Sequence, residues 1–103
     1  MSESYRSKLE SPDTDFLFDA ILSLRSREEC YRFFEDLCTI PEVKSLSQRW
    51  MVARLLDEGK TYQDIAGDLA ASTATISRVN RCLAYGAGGY RLIIDRSKEN
   101  TEN

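Results

Sequence analysis

Residues 61–83 read TYQDIAGDLAASTATISRVNRCL, and this stretch constrains the fold more than any other. Ile65 and Leu69 are spaced for one helix face and Ile76 and Val79 for another, with only Ala70, Ala71 and Ser72 linking the two runs. So short a link fits two short helices that cross steeply. Such helices touch near Ala66, where little more than a methyl group fits. Ile65 and Leu69 then meet Ile76 and Val79 across the crossing. Thr61 opens the first helix with a capping-box pattern in which Asp64 stands for the usual Glu, and that helix is expected to run to about Ala70. Ser72 caps the second helix, expected over 73–84. One departure is visible: Ala70 stands where glycine is most common in such turns. A left-handed conformation there costs an alanine about 1 kcal/mol.

The rest of the chain reads the same way. Two prolines and five glycines punctuate 103 residues, and no run alternates as a strand would, so the expected fold is all-α. Asp13 or Thr14 is the expected cap of a first helix carrying Phe16, Leu17, Ala20, Ile21 and Leu24. Ser26 and Glu29 form a capping box before a second helix with Cys30, Phe33, Phe34, Leu37 and Cys38 on its apolar side. Pro41 suits the first turn of a longer third helix. That helix is apolar over more than one stripe (Val43, Leu46, Trp50, Met51, Ala53, Leu55, Leu56), which predicts burial against a second subunit as well as its own core. Glu58 and Gly59 end it. The GAGG run at 86–89 is not a phosphate loop; it reads as a helix stop and turn, with a hinge at a dimer surface as the alternative. A last short helix is expected over 90–96. The expected organisation is a flexible arm at 1–12, one domain at 13–96 with the helix pair at 61–84, and a disordered tail at 97–103. Substitutions at Gly59 and Gly89 are expected to act on folding or dimer geometry.

Several function classes drop out. The chain has no histidine, which removes histidine bases, Ser-His-Asp and Cys-His catalysis and most zinc and iron sites. Cys30, Cys38 and Cys82 are odd in number and lack any C-x-x-C spacing, as expected of reduced thiols in a cytoplasmic protein. No apolar run approaches the ~18 residues needed to span a bilayer, and the polar N-terminus is no signal peptide, so no membrane partner is expected. The acid pairs Glu28-Glu29 and Glu35-Asp36 read as solvated faces. No catalytic residue, metal site or obligate cofactor can be nominated, and the chain does not read as an enzyme.

The charge distribution points elsewhere. The net charge is −3, but residues 1–43 carry five basic and ten acidic groups whereas 44–96 carry eight basic and five acidic. Between residues 69 and 94 there is no acid, only Arg78, Arg81 and Arg91. Local potential is what a phosphate feels. The outer face of the second helix at 73–84 offers Thr73, Ala74, Ser77, Arg78 and Arg81: small side chains that let a helix approach a major groove, and Arg78, long enough for a guanine edge or a phosphate, whereas a lone Arg81 or Arg91 reads more readily as a solvated surface charge. The same helix pair also fits a plain structural corner, or a small helical module that binds protein without sequence-specific DNA binding. Steep salt dependence would separate the two, since it accompanies phosphate contacts.

The segment 71–90, ASTATISRVNRCLAYGAGGY, preceded by LLDEGKTYQDIA at 55–66, resembles the tryptophan repressor and more closely its relatives, the TrpR-like YerC/YecD family. Likeness to these relatives covers most of residues 15–96. It implies a helix-turn-helix on an interwoven helical homodimer that reads a palindromic operator in double-stranded DNA as a transcription regulator of the repressor kind. By position, Thr73, Ala74, Thr75, Ser77 and Arg78 would face base edges, and Tyr62, Gln63, Asn80 and Arg81 would lie near the DNA backbone. The resemblance also implies an L-tryptophan corepressor held between two arginines. One aligns with Arg78. The other falls on Arg49 with a one-residue gap and on Gln48 without it. Cys38 and Cys82 stand where the repressor has hydroxyl residues, a departure from an indole site.

Overall fold

The structure, a computed structural model, describes residues 5–102. Among these residues there are six helices and no strand: α1 (Pro12–Leu22), α2 (Arg27–Leu37), α3 (Ile40–Asp57), α4 (Tyr62–Leu69), α5 (Thr73–Tyr85) and α6 (Gly89–Glu102). The chain divides into two compact units, 1–39 and 40–103.

The first unit is a helix pair with a short lead. Residues 7–10 form a turn, with the Glu10 amide donating to the Ser7 carbonyl at 3.2 Å. Residues 1–4 of the expected arm lie outside the described residues. The first helix starts earlier than the expected cap: Ser11, not Asp13 or Thr14, accepts the Thr14 amide at 3.1 Å, and Pro12 occupies the first helical position, where its missing N–H costs nothing. Ser26 caps α2 as expected, accepting from the Glu29 amide at 3.1 Å, while Glu29 accepts from the Arg25 amide at 2.8 Å. No side chain of α1 or α2 is buried.

The second unit holds the core. Val52 and Ala53 of α3, Ile65 of α4, Ala71 of the link, Ile76 and Val79 of α5 and Ile94 of α6 are buried, flanked by Trp50, Leu55, Leu56, Ala66, Leu69, Leu83 and Tyr90. The long helix α3 packs against α4, α5 and α6. It ends in a Schellman motif: the Lys60 amide donates to Leu55 at 3.1 Å and the Gly59 amide to Leu56 at 3.0 Å, with Gly59 at φ +87°. Leu46 and Met51 stay about half open at 44% and 45% exposure.

The C-terminal expectation is corrected. The helix expected over 90–96 runs through to Glu102, so most of the expected tail at 97–103 is helical; Asn103 lies outside the described residues. The physical reason is a tertiary one: Lys98 reaches Asp57 at the end of α3 at 2.9 Å, a partner no local pattern reveals.

Candidate nucleic-acid interface

The helix pair expected at 61–84 is α4 and α5, which pack against each other. Thr61 caps α4, accepting from the Asp64 amide at 3.1 Å, and Ser72 caps α5, accepting from the Thr75 amide at 3.1 Å. Between them Ala70 takes φ 53°, ψ 33°, the left-handed region, and among the described residues it is the non-glycine with positive φ. The turn is therefore the one a glycine would ordinarily make, bearing the strain of a Cβ. Gln48 of α3 supports it from below, its amide donating to the Leu69 carbonyl at 3.3 Å. That carbonyl lies in the last turn of α4, where no intrahelical partner exists.

The inner sides of both helices meet as the spacing predicts, with Ile65, Ile76 and Val79 buried and Ala66 and Leu69 packed against them. The opposite side of α5 is open: Thr73, Ala74, Ser77, Arg78, Asn80 and Arg81 are exposed, and so are Tyr62 and Gln63 in the first turn of α4. Thr75 differs from its neighbours. It is half-buried, and its hydroxyl accepts from the Ser72 hydroxyl at 3.1 Å, so it completes the helix cap.

Tertiary pairing reshapes the charge pattern. Arg91 donates to Asp57 at 2.8 Å and also pairs with Asp95 at 3.4 Å. Its charge is thereby matched, and the acid-free stretch presents Arg78 and Arg81 as its exposed cations. Asp57 closes α3, where the helix dipole disfavours an anion, and its carboxyl is only 10% exposed. Hydrogen bonds from Lys98 and then Arg91 hold it below the usual carboxylate range despite burial.

Arg49 and Arg78 both act electrostatically on Tyr90 of α6. Burial pushes the Tyr90 phenol up, while the positive charge of Arg49 and, less strongly, of Arg78 opposes that rise and Cys82 adds to it. The Tyr90 ring stacks on Trp50, with centroids 6.4 Å apart and planes at 22°. The Arg54 guanidinium lies 5.8 Å from the Trp50 ring centroid. Arg49 also donates to Ser45 at 3.0 Å. Of the two candidates for the second ligand arginine position, Gln48 is committed to the α4–α5 turn and Arg49 stands in the surroundings of Tyr90. Sequence reasoning had no signal for the Gln48 hydrogen bond to the turn or for the roles of Asp57 and Tyr90, whose partners lie 21 to 41 residues away. Among the described residues, no helix is long and apolar enough to cross a membrane and no group of three or more His, Cys, Asp or Glu gathers as a metal site would.

Comparison with known proteins agrees with this geometry. The family model described as Trp repressor protein matches residues 13–98. The chain is 59% identical over 92 residues to the uncharacterized protein YerC of Bacillus subtilis (strain 168), covering 89% of this chain and 88% of that protein. Its fold is similar to the crystal structure of a TrpR-like protein from Eubacterium eligens ATCC 27750, with a TM-score of 0.86 at 54% identity over 90% of this chain and 96% of the other. A candidate Trp repressor from Staphylococcus aureus is equally similar, with a TM-score of 0.85 at 54% identity over 88% and 91% of the two chains. The match spans the whole helical domain and includes the α4–α5 pair, and the chain belongs to the Trp repressor family.

Proposed function

We propose that this protein is a sequence-specific DNA-binding transcription regulator, acting as a repressor, that binds a two-fold-symmetric operator as a homodimer. The observation that carries this reading is the open side of α5. Thr73, Ala74 and Ser77 are small and exposed, and Arg78 and Arg81 project from the same helix, whose inner side is fixed by Ile76 and Val79. A helix so built enters a major groove with its backbone close to base edges, the arginines supplying guanine and phosphate contacts. Tyr62 and Gln63, at the exposed start of α4, suit the neighbouring phosphates.

The homodimer is supported by apolar residues that α1 and α2 leave open. Phe16 is 79% exposed, Leu22 82% and Tyr31 64%. Burying one such side chain fully is worth about 1.5–3 kcal/mol, so a partner that covers several of them is strongly favoured. A second copy of this chain, carrying the same open faces, is the occupant we propose.

Selection of bound sequences from a random duplex pool, with and without L-tryptophan, tests the reading. A symmetric site enriched in both arms supports a regulator that needs no corepressor. Enrichment only with tryptophan places Arg78 and Arg49 first among its contacts. On the selected site, Arg78→Ala is expected to cost about 1–3 kcal/mol and relax sequence choice. Undiminished binding by that variant would falsify the assignment of α5 as the reading helix. Affinity that hardly changes between low and moderate salt would favour the protein-binding module instead.

A further inference from the structure

We infer that α6 is a strap that sets the pose of the reading helix α5, with Tyr90 as its positioning residue. This rests on the reading of α5 proposed above.

The two ends of α5 are held in different ways. At its start, the link is short, its turn fixed by the left-handed Ala70 and the Gln48 hydrogen bond. At its end, only residues 86–88 link it to α6. The Gly86 amide donates to the Cys82 carbonyl at 2.8 Å, and a Cβ added at Gly86 would overlap that carbonyl oxygen. Gly88 sits at φ +86°. With three residues between the helices and the first of them hydrogen-bonded to the last turn of α5, a displacement of α6 acts on the end of α5.

α6 itself is fastened to α3 and the core at successive points along one side. Tyr90 stacks on Trp50, Ile94 is fully buried, and Arg91 and Lys98 hold Asp57 at 2.8 and 2.9 Å. Positions 90, 91, 94 and 98 follow the three-and-four spacing of a single helix face. Tyr90 is the fastening nearest the turn, and it lies within the electrostatic reach of Arg78. Loss of its ring loosens the start of α6, beside the end of α5.

The consequence for DNA is selective. Base-edge contacts require the reading side chains to be held to fractions of an ångström. Attraction to phosphates acts over a Debye length of about 8–10 Å and tolerates such shifts. Tyr90 therefore governs discrimination between sequences more than attraction to DNA as such.

The test compares Tyr90→Phe and Tyr90→Ala in the full chain. Affinities are read at one salt concentration on the selected operator and on a scrambled duplex, with amide exchange followed across residues 73–85. Tyr90→Phe keeps the flat ring and is expected to match wild type on both duplexes. Tyr90→Ala is expected to lose about tenfold on the operator, within the range of one mismatched base pair, and to stay near wild type on the scrambled duplex. Equal losses on the two duplexes, or none on the operator, would overturn the inference. Should Tyr90→Ala not fold, Tyr90→Leu keeps apolar bulk without the flat ring and is expected to show the same selective loss, with the same overturning results. A wild-type protein with no sequence preference would remove the DNA reading instead. The strap is then decided by exchange in α5: faster in the Ala or Leu variant than in Tyr90→Phe supports it, and equal rates sink it.

Discussion

Ala70 and Gly67 stand in each other's natural places, and exchanging them tests the geometry of the α4–α5 turn. Ala70 holds φ 53°, ψ 33°, a conformation that costs a residue with a Cβ roughly 1–2 kcal/mol. Glycine escapes that cost but gives the unfolded chain more freedom, an opposing effect of about 0.4–1 kcal/mol. The Ala70 side chain is exposed, so no packing is lost, and Ala70→Gly should stabilise by about 0.5–1 kcal/mol. Gly67 lies inside α4, and a Cβ added there meets no heavy atom within 4 Å. Gly67→Ala should then gain about 0.5–1 kcal/mol from helix propensity alone. Each change should raise the melting temperature by roughly 2–8 °C for a domain of this size, read by circular dichroism at matched chain concentration. Ala70→Val is the opposing control, since a β-branched residue suits the left-handed region least, and it should melt below wild type. A lower melting temperature for Ala70→Gly than for wild type would show that the turn is not left-handed. A lower one for Gly67→Ala would show that the space beside α4 is filled.

Asp57→Asn should destabilise by about 1 kcal/mol at neutral pH, more than an exposed pair because the carboxyl is largely covered. The native Asp57 pKa is depressed, so this contribution is present above the ordinary value of 3.8 and fades as pH falls through the lower native value; urea midpoints of wild type and Asp57→Asn should therefore converge on acidification. Convergence on raising the pH instead would refute that assignment. Gly86→Ala should cost about 1–3 kcal/mol through its overlap with the Cys82 carbonyl, whereas Gly89→Ala, whose Cβ meets nothing, should melt close to wild type. Leu22→Glu should shift sedimentation from two chains toward one if α1 is covered by a second copy, and an unchanged two-chain mass would place the contact elsewhere.

What the sequence made legible was local. The crossing of α4 and α5, its buried residues and the caps at Ser26, Thr61 and Ser72 all depend on spacing within a few residues, and spacing is visible in a string of letters. The strain at Ala70 was legible for the same reason. Ser11 was less so, because Asp13 and Thr14 offer rival cap oxygens and only Pro12 marks the true start. Val52 escaped notice among the several apolar stripes of α3, yet it is fully buried. Arg91 read as one of three arginines in an acid-free stretch and Lys98 as part of a disordered tail because Asp57 is 34 and 41 residues earlier, and only the fold brings them together. The same limit hid the Trp50–Tyr90 stack. The outward α5 residues form one exposed side with the exception of Thr75, whose hydroxyl sits three positions from a capping serine and is drawn into the cap.

The absence of any buried side chain in α1 and α2 has a genetic consequence. Helices of 11 residues are marginal alone in water, and in the proposed homodimer the second copy would hold this pair in shape. If the chain works as the proposed homodimer, a copy carrying Arg78→Ala keeps both helices intact and would enter mixed pairs with wild-type chains, each with one competent half. Co-produced in excess, such a copy would then be dominant over the wild type, whereas a copy lacking α1 and α2 would be recessive because it could not join a pair.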